Sequence, residues 1–256
     1  MPVNDDTAGV IKSADRLFQI VETLKDLDGA TVTELSDHLD LPPSTTHRYL
    51  KTLHQQGYVD KRNGEYHLGL KFLDIGGYVR HSKPVRREIK PTVRELAQET
   101  NEAASFIMEH RGLGVFVYRE TSESGVNTEV RLGKRSSLHL SSGGKAILAN
   151  LPEERIEDIL DHHGLPQKTT QSIQDREELL TELEEIRERG YAIARSEHTD
   201  GVNSVGAPVR LSDGTVLGAI TIVGPAFRMQ GERLTEELPP LLLGKINEFV
   251  LNFSHS

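Results

Sequence analysis

The sequence predicts an α+β protein in three parts: an N-terminal winged helix-turn-helix, linker helices, and a C-terminal α/β domain around an antiparallel sheet. Three observations carry this. Three short amphipathic helices precede two alternating runs joined at Asn63-Gly64, a pair of residues that favours a tight hairpin. A helical stretch with a basic run, residues 70–100, separates that unit from the rest. Beyond residue 101, strand-like runs in hairpin pairs alternate with helices, the pattern of helices packed on one antiparallel sheet. The expected divisions are a flexible arm (1–12), the winged unit (13–69), linker helices (70–100) and the C-terminal domain (101–256).

In chain order, Ser13 is expected to cap a helix reaching Leu27, with Leu17, Ile20, Val21, Leu24 and Leu27 as its apolar stripe. Thr33 should cap a second helix ending at Leu39. Leu41-Pro42-Pro43 is a turn, and a third helix follows, with Ser44 or Thr45 as its cap and Gly57 as its left-handed C-terminal stop. Tyr49, Leu50 and Leu53 share one face. The rest of that helix shows Ser44, Thr45, Thr46, His47, Arg48 and Lys51, with no acidic residue. Hydroxyls and imidazole can reach phosphates and base edges in a DNA major groove, and arginine can bridge guanine. The hairpin after it would be a wing whose tip, Lys61, Arg62 and Asn63, can lie along a phosphate backbone.

Leu70–His81 is helical in period, broken at Lys83-Pro84, and Val85–Thr100 continues with Pro91 as a kink. Strands are expected at 103–109, 115–120, 191–195, 205–209 and 216–223, with a weaker one at Thr128–Arg131. Helices are expected at 145–150, 152–162, 175–189 and 235–253.

Composition narrows the class. Apolar residues make up 36% and charged residues 27%, the balance of a soluble globular chain with no run long enough to span a bilayer. No signal segment opens the chain, so a cytoplasmic home is expected. With no cysteine, disulfides and thiolate metal sites are excluded. The net charge of −9 is uneven: residues 1–75 carry −4, 76–91 carry +4 and 92–256 carry −9. An acidic body suppresses non-specific DNA binding, while local basic patches can still hold phosphates.

The segments Ser13-Ala14-Asp15-Arg16, Leu41-Pro42-Pro43-Ser44-Thr45-Thr46-His47-Arg48-Tyr49-Leu50 and Gly57-Tyr58-Val59 form one motif set. Gly144-Lys145-Ala146, Gly190-Tyr191-Ala192, Glu197-His198, Ala207-Pro208-Val209 and Ile222-Val223-Gly224-Pro225 form a second, in order. Together the sequence resembles the IclR family (isocitrate lyase regulator type) of transcription regulators over roughly residues 11–251. The resemblance implies a GAF-like C-terminal α/β domain that binds a small effector. It also implies homodimers, often paired into tetramers, on a palindromic DNA operator. Carried over position by position, the implied effector pocket comprises Ser142, Gly143, Ala194, Val202, Ser204, Thr221 and Val223. An organic acid or a sugar-derived metabolite of a catabolic pathway is the expected effector. Ala194, Ser204 and Val223 stand where carboxylate-binding members carry an acid, a cysteine and a serine.

No cofactor, metal site or catalytic residue is expected. Gly143-Gly144-Lys145-Ala146 lacks the spacing of a phosphate loop, and adjacent histidines His162-His163 point about 100° apart on a helix. His139 and His198 are candidates to border the pocket, with a structural role favoured for each. The competing readings are a small-molecule enzyme, or an interaction adaptor using the winged unit for assembly. The small, hydroxyl and apolar pocket positions disfavour the first, and Arg48, Lys51, Lys61 and Arg62 disfavour the second.

Overall fold

Apolar residues at helical spacing build the N-terminal unit. Helix α1 (Lys12–Asp26) buries Ile20, Val21 and Leu24, α2 (Val32–Leu39) buries Leu35, and α3 (Pro43–Gln55) buries Leu50 and Leu53. With Ala30, Val59 and Tyr66 these side chains make one core. Strands β1 (Val59–Arg62) and β2 (Glu65–Leu68) pair antiparallel, with Arg62 opposite Glu65. Asn63 and Gly64 both take positive φ, 53° and 93°, as a two-residue turn matched to strand twist requires. Ala30 and Tyr66 exchange backbone hydrogen bonds of 3.0 and 2.8 Å, which sews the hairpin to the α1–α2 connection. The structure is a computed structural model describing residues 9, 11–82, 84–122 and 130–254. The chain divides into two compact units, residues 1–79 and 80–256.

The helix starts differ from the sequence expectation. α1 begins at Lys12, and Ile11 precedes it with no side-chain cap, so Ser13 lies inside the helix. α2 is capped by Thr31 rather than Thr33. Thr31 Oγ1 accepts from Glu34 N at 3.3 Å while the Glu34 carboxylate accepts from Thr31 N at 2.8 Å, a reciprocal box that satisfies two otherwise orphan amides. Neither Ser44 nor Thr45 caps α3. Pro42 occupies that place, and its carbonyl accepts from Thr45 and Thr46 amides at 2.9 and 3.1 Å. Pro43 takes the first helical position, where a missing N–H costs nothing. α3 ends as expected: Gly57 has φ +75°, with Gly57 N donating to His54 O and Tyr58 N to Leu53 O.

Helix α4 (Lys71–His81) buries none of its residues. Leu70, just before it, and Leu73 and Tyr78 within it are 80%, 71% and 75% exposed, as is Phe18 of α1 at 65%. α5 (Pro84–Thr100) begins at Pro84 and runs through Pro91. Lys83, Thr128, Glu129 and most of the expected arm lie outside the described residues.

In the larger unit, strands β3 (Ala103–His110), β4 (Leu113–Thr121), β5 (Arg135–Ser137), β6 (Ala192–Arg195), β7 (Val202–Arg210) and β8 (Val216–Pro225) form one antiparallel sheet. Their spatial order is β5-β4-β3-β8-β7-β6. Val130 and Arg131 are not strand; the third strand is Arg135–Ser137 instead, held by backbone pairing to β4. One sheet face presents Ala104, Phe106, Tyr118, Val205, Ala207, Ile220 and Ile222 to α5 and to α9 (Leu238–Ser254). A π turn, Arg233–Glu237, leads into α9. Pro239 and Pro240 have no N–H to give residues 235 and 236, so the regular ladder cannot start there. The other face presents Ile107, Phe116, Ala192 and Ala219 to α6 (Ser142–Leu148), α7 (Glu153–His163) and α8 (Arg176–Arg189).

The start of α6 touches the sheet at backbone distance. A Cβ placed on Gly206 of β7 would lie 2.6 Å from Gly143 N, and one on Gly143 would lie 2.4 Å from Thr221 Cγ2. Real Cβ atoms do not approach so closely, so α6 can seat itself only through glycine. Gly206→Ala is therefore expected to destabilise the C-terminal unit by about 1–3 kcal/mol. Denaturant unfolding of the variant checks this, and an unchanged midpoint would contradict the close approach.

Candidate functional site

Two places gather the residues that the sequence marks. The first is the outer face of α3. Ser44, His47, Arg48 and Lys51 are exposed, and Thr45 is half-buried. No acidic residue interrupts the helix. Thr46 does not belong to this face. It is fully buried, and its hydroxyl accepts from Ser36 Oγ at 3.0 Å across the α2–α3 contact. Its assignment as a DNA contact is corrected: it fixes the angle between two helices. At the wing tip, Lys61, Arg62 and Asn63 are exposed. Lys61 Nζ sits 5.1 Å from the Tyr66 ring centre, and Arg62 lies 3.6 Å from Asp60. Exposed pairs of that kind are worth at most about 1 kcal/mol, so Arg62 is readily released to another anion.

The second place is a small cavity of about 50 Å³ in the C-terminal unit. Ala194, Val202, Ser204, Thr221 and Val223 line it, five of the seven positions expected. Ser142 stands one hydrogen bond behind the wall, donating to Ser204 Oγ at 2.8 Å. Gly143 is pressed against Thr221, Ile107 and Ala219 and does not reach the cavity. The expectation that Ser142 and Gly143 themselves form the wall is corrected, because the close seat of α6 turns them onto the sheet. Ser141 takes their place in the wall, and its Oγ accepts from Gly144 N at 3.1 Å.

The sequence reading missed Phe116, Arg119, Glu197 and Thr199 in this wall. It had weighed His198, which lines the cavity, and His139, which does not. His139 Nε2 donates to the Pro166 carbonyl at 3.2 Å. Burial holds the His139 pKa below the ordinary histidine value against that hydrogen bond, and the Lys145 charge adds to the depression. Burial likewise lowers His198, helped by Lys134 and Lys168. Among the described residues, Thr221 Oγ1 is buried without a hydrogen-bond partner, as is Ser105 Oγ beside it across the strand pair.

Below the cavity lies a buried ion cluster. Lys145 of α6 has no exposed side-chain surface. Its ammonium is 2.8 and 3.0 Å from the two oxygens of Glu182 on α8, and 2.7 Å from Glu197 Oε2. Glu197 Oε1 also accepts from Arg195 N at 3.1 Å. Burial raises the Glu197 pKa, while Lys145 pulls it back down. Among the described residues no group of three or more His, Asp or Glu could hold a metal ion.

A three-helix unit with a wing and an acid-free outer helix, joined in one chain to a sheet domain with a small, mostly apolar cavity edged by hydroxyl groups, is the arrangement of a ligand-responsive DNA-binding regulator. The comparisons with known proteins agree. Residues 13–63 match the IclR helix-turn-helix domain, and residues 78–244 match the bacterial transcriptional regulator IclR C-terminal domain. The chain is 33% identical to a protein named as the probable HTH-type transcriptional regulator ArcR of Halobacterium salinarum, over 93% of this chain and 92% of that one. It is similar to the crystal structure of IclR from Thermotoga maritima, with a TM-score of 0.76 and 27% identity, over 94% of this chain and 98% of the other. It has the fold of an IclR homolog of Microbacterium hydrocarbonoxydans solved with 4-hydroxybenzoate, with a TM-score of 0.76 and 22% identity over 94% and 99% of the two chains. The chain belongs to the IclR family of transcription regulators, with a DNA-binding helix-turn-helix domain and an effector-binding C-terminal domain, and is not an enzyme. Among the described residues, no helix is long and apolar enough to cross a membrane.

Two measurements test this site. Lys145→Met strands the buried Glu197 carboxylate and the partly buried Glu182 and should destabilise the C-terminal unit by about 3–5 kcal/mol in denaturant unfolding; a loss below about 1 kcal/mol would mean that the cluster is solvated. His139 has a folded pKa below its unfolded value, so its contribution is present above the ordinary histidine pKa and is lost as pH falls through the folded one. Stability should therefore drop as pH falls below about 6.5, the ordinary histidine value, and drop less in His139→Gln.

Proposed function

We propose that this chain is an effector-gated regulator of a catabolic pathway, binding a palindromic operator as a homodimer, with pairing into tetramers on longer sites. The observation that carries the DNA reading is the exposed, acid-free outer face of α3. Arg48 and His47 reach base edges or phosphates, Ser44, Thr45 and Lys51 set the register, and Lys61, Arg62 and Asn63 follow the backbone. One such helix reads only a few base pairs, so two copies related by a two-fold axis are needed for useful specificity. Helix α4 buries none of its residues and leaves Leu73 and Tyr78 exposed, with Leu70 just before it, which supports pairing of the N-terminal units through this segment. The place of action is where the DNA lies, the cytoplasm.

The effector site is the cavity walled by Ala194, Val202, Ser204, Thr221 and Val223. An organic acid or sugar-derived metabolite suits its hydroxyl groups, and the Microbacterium hydrocarbonoxydans homolog, solved with 4-hydroxybenzoate, supports the acid. Such a ligand changes operator binding only to the extent that it prefers one arrangement of the dimer over the other.

The test begins with selection of duplexes from a randomised pool by the full-length protein. A symmetric consensus is expected. Arg48→Ala should then weaken binding to it by about 1–3 kcal/mol and relax preference at one position, while Lys61→Ala should lower affinity for all sequences and reduce the salt slope by about one. Unaltered affinity in Arg48→Ala would remove that residue from the interface, and failure to enrich any sequence would overturn the DNA reading.

A further inference from the structure

We propose that Asn63, at the tip of the wing, is a site of spontaneous deamidation, and that its conversion to a carboxylate weakens DNA binding. The effect on binding rests on the DNA reading above; the modification itself does not.

Asn-Gly occurs once in the sequence, at residues 63–64. Deamidation requires the Gly64 backbone nitrogen to reach Cγ of Asn63 and close a succinimide ring, and glycine has no side chain to bar that approach. The structure leaves the pair open to it. Both residues are exposed, and a Cβ on Gly64 would meet nothing within 4 Å. Among the described residues, neither the Asn63 side-chain amide nor the Gly64 N–H has a hydrogen-bond partner. The turn closes a sheet of only two strands. The bridge from Ala30 holds Tyr66, and only the Arg62–Glu65 pair lies between that row and the turn. A ribbon of two strands opens readily at its end. Asn63 is held at φ 53° by the turn alone and leaves that region when the end opens.

Two of the three Asp-Gly pairs show the contrast. Gly29, after Asp28, lies under His67, whose ring is 2.2 Å from where a Cβ would stand, and the Asp213 carboxylate accepts from Thr215 N at 2.8 Å. An ionised carboxylate is in any case a poorer electrophile than an amide.

The reaction balances with water and hydroxide as its co-reactants. Hydroxide takes the Gly64 amide proton, the nitrogen bonds to Asn63 Cγ, and the Cγ–Nδ2 bond breaks. Nδ2 leaves as ammonia with a proton from water, and the succinimide remains. Water then adds to either carbonyl of the ring, giving aspartate or isoaspartate. In the hairpin, Lys61 and Arg62 balance Asp60 and Glu65. The new carboxylate therefore turns the wing net negative, where a phosphate backbone is expected. Isoaspartate also inserts a methylene into the main chain, which a two-residue turn matched to strand twist does not accommodate.

The experiment incubates the full-length protein in warm, mildly alkaline buffer and samples it over days. Peptide mass spectrometry reads the amide-to-acid mass gain at residue 63, enzymatic methylation counts isoaspartate, and each sample is titrated against the selected duplex. A synthetic peptide of residues 58–68 is the unfolded reference. Conversion at residue 63 should run ahead of every other asparagine, quicken as pH rises, and track a loss of affinity. Asn63→Asp should bind all duplexes about threefold or more weakly, with sequence preference kept. Asn63→Gly tolerates the positive φ and has no amide to lose, so whatever affinity it starts with should survive the incubation. An unconverted residue 63 in the folded protein, over a time in which the peptide converts, would overturn the proposal. So would an equal decline of affinity in Asn63→Gly and wild type. Conversion with unaltered affinity would overturn the link to DNA binding. If no duplex is selected, the DNA reading falls, while the mass gain still decides the modification.

Discussion

An ammonium group withdrawn from water must be matched in charge and in hydrogen bonds, or the element that carries it cannot be buried. Lys145 meets that demand with Glu182 and Glu197, and much of the C-terminal unit is arranged so that it can. α6 lies flat on β7 and β8 through Gly143 and Gly206, α8 brings Glu182 over it, and the turn after β6 brings Glu197 beneath it. Glu197 also lines the cavity. An occupant that touches this carboxylate touches the group that ties α6 to the β6–β7 turn.

The N-terminal unit solves a smaller version of the same problem. Its short helices each gain little from length, so most of their stability comes from packing. Polar groups caught inside are paired, as in the Ser36–Thr46 bond, and orphan amides are met by Thr31 and Glu34 or by the Pro42 carbonyl. With its inner face committed to Thr46, Leu50 and Leu53, α3 has one orientation left, and His47, Arg48 and Lys51 are what remains outside.

The signals that translated directly into structure were local ones. Asn63-Gly64 and Gly57 each need positive φ, and a pair or single residue suffices to mark that need. The stripes of α1 and α3, and the charged α8 ended by Gly190, follow from a period of 3.6. Cap choice was less legible because several hydroxyl residues cluster at each helix start, and backbone geometry selects Thr31 over Thr33. β5 escaped because three residues, Arg135–Ser137, carry no alternation of their own and are strand only through pairing with β4.

The sequence by itself determined the order of most helices and strands, the tight Asn63-Gly64 hairpin, the family, and the hydroxyl and apolar residues later found around the cavity, because each is set by neighbours in the chain or by a motif. The tertiary structure decided which of them face what. Thr46 turned inward because α2 lies against it. Gly143 left the cavity wall because it is the contact that lets α6 approach the sheet. Arg119 entered the wall because one extra residue, Val117, shifts β4 by half a pleat. A side chain's facing in a strand depends on register, and a bulge in that register is fixed by the partner strand across the ladder, which no local reading of residues 113–121 contains.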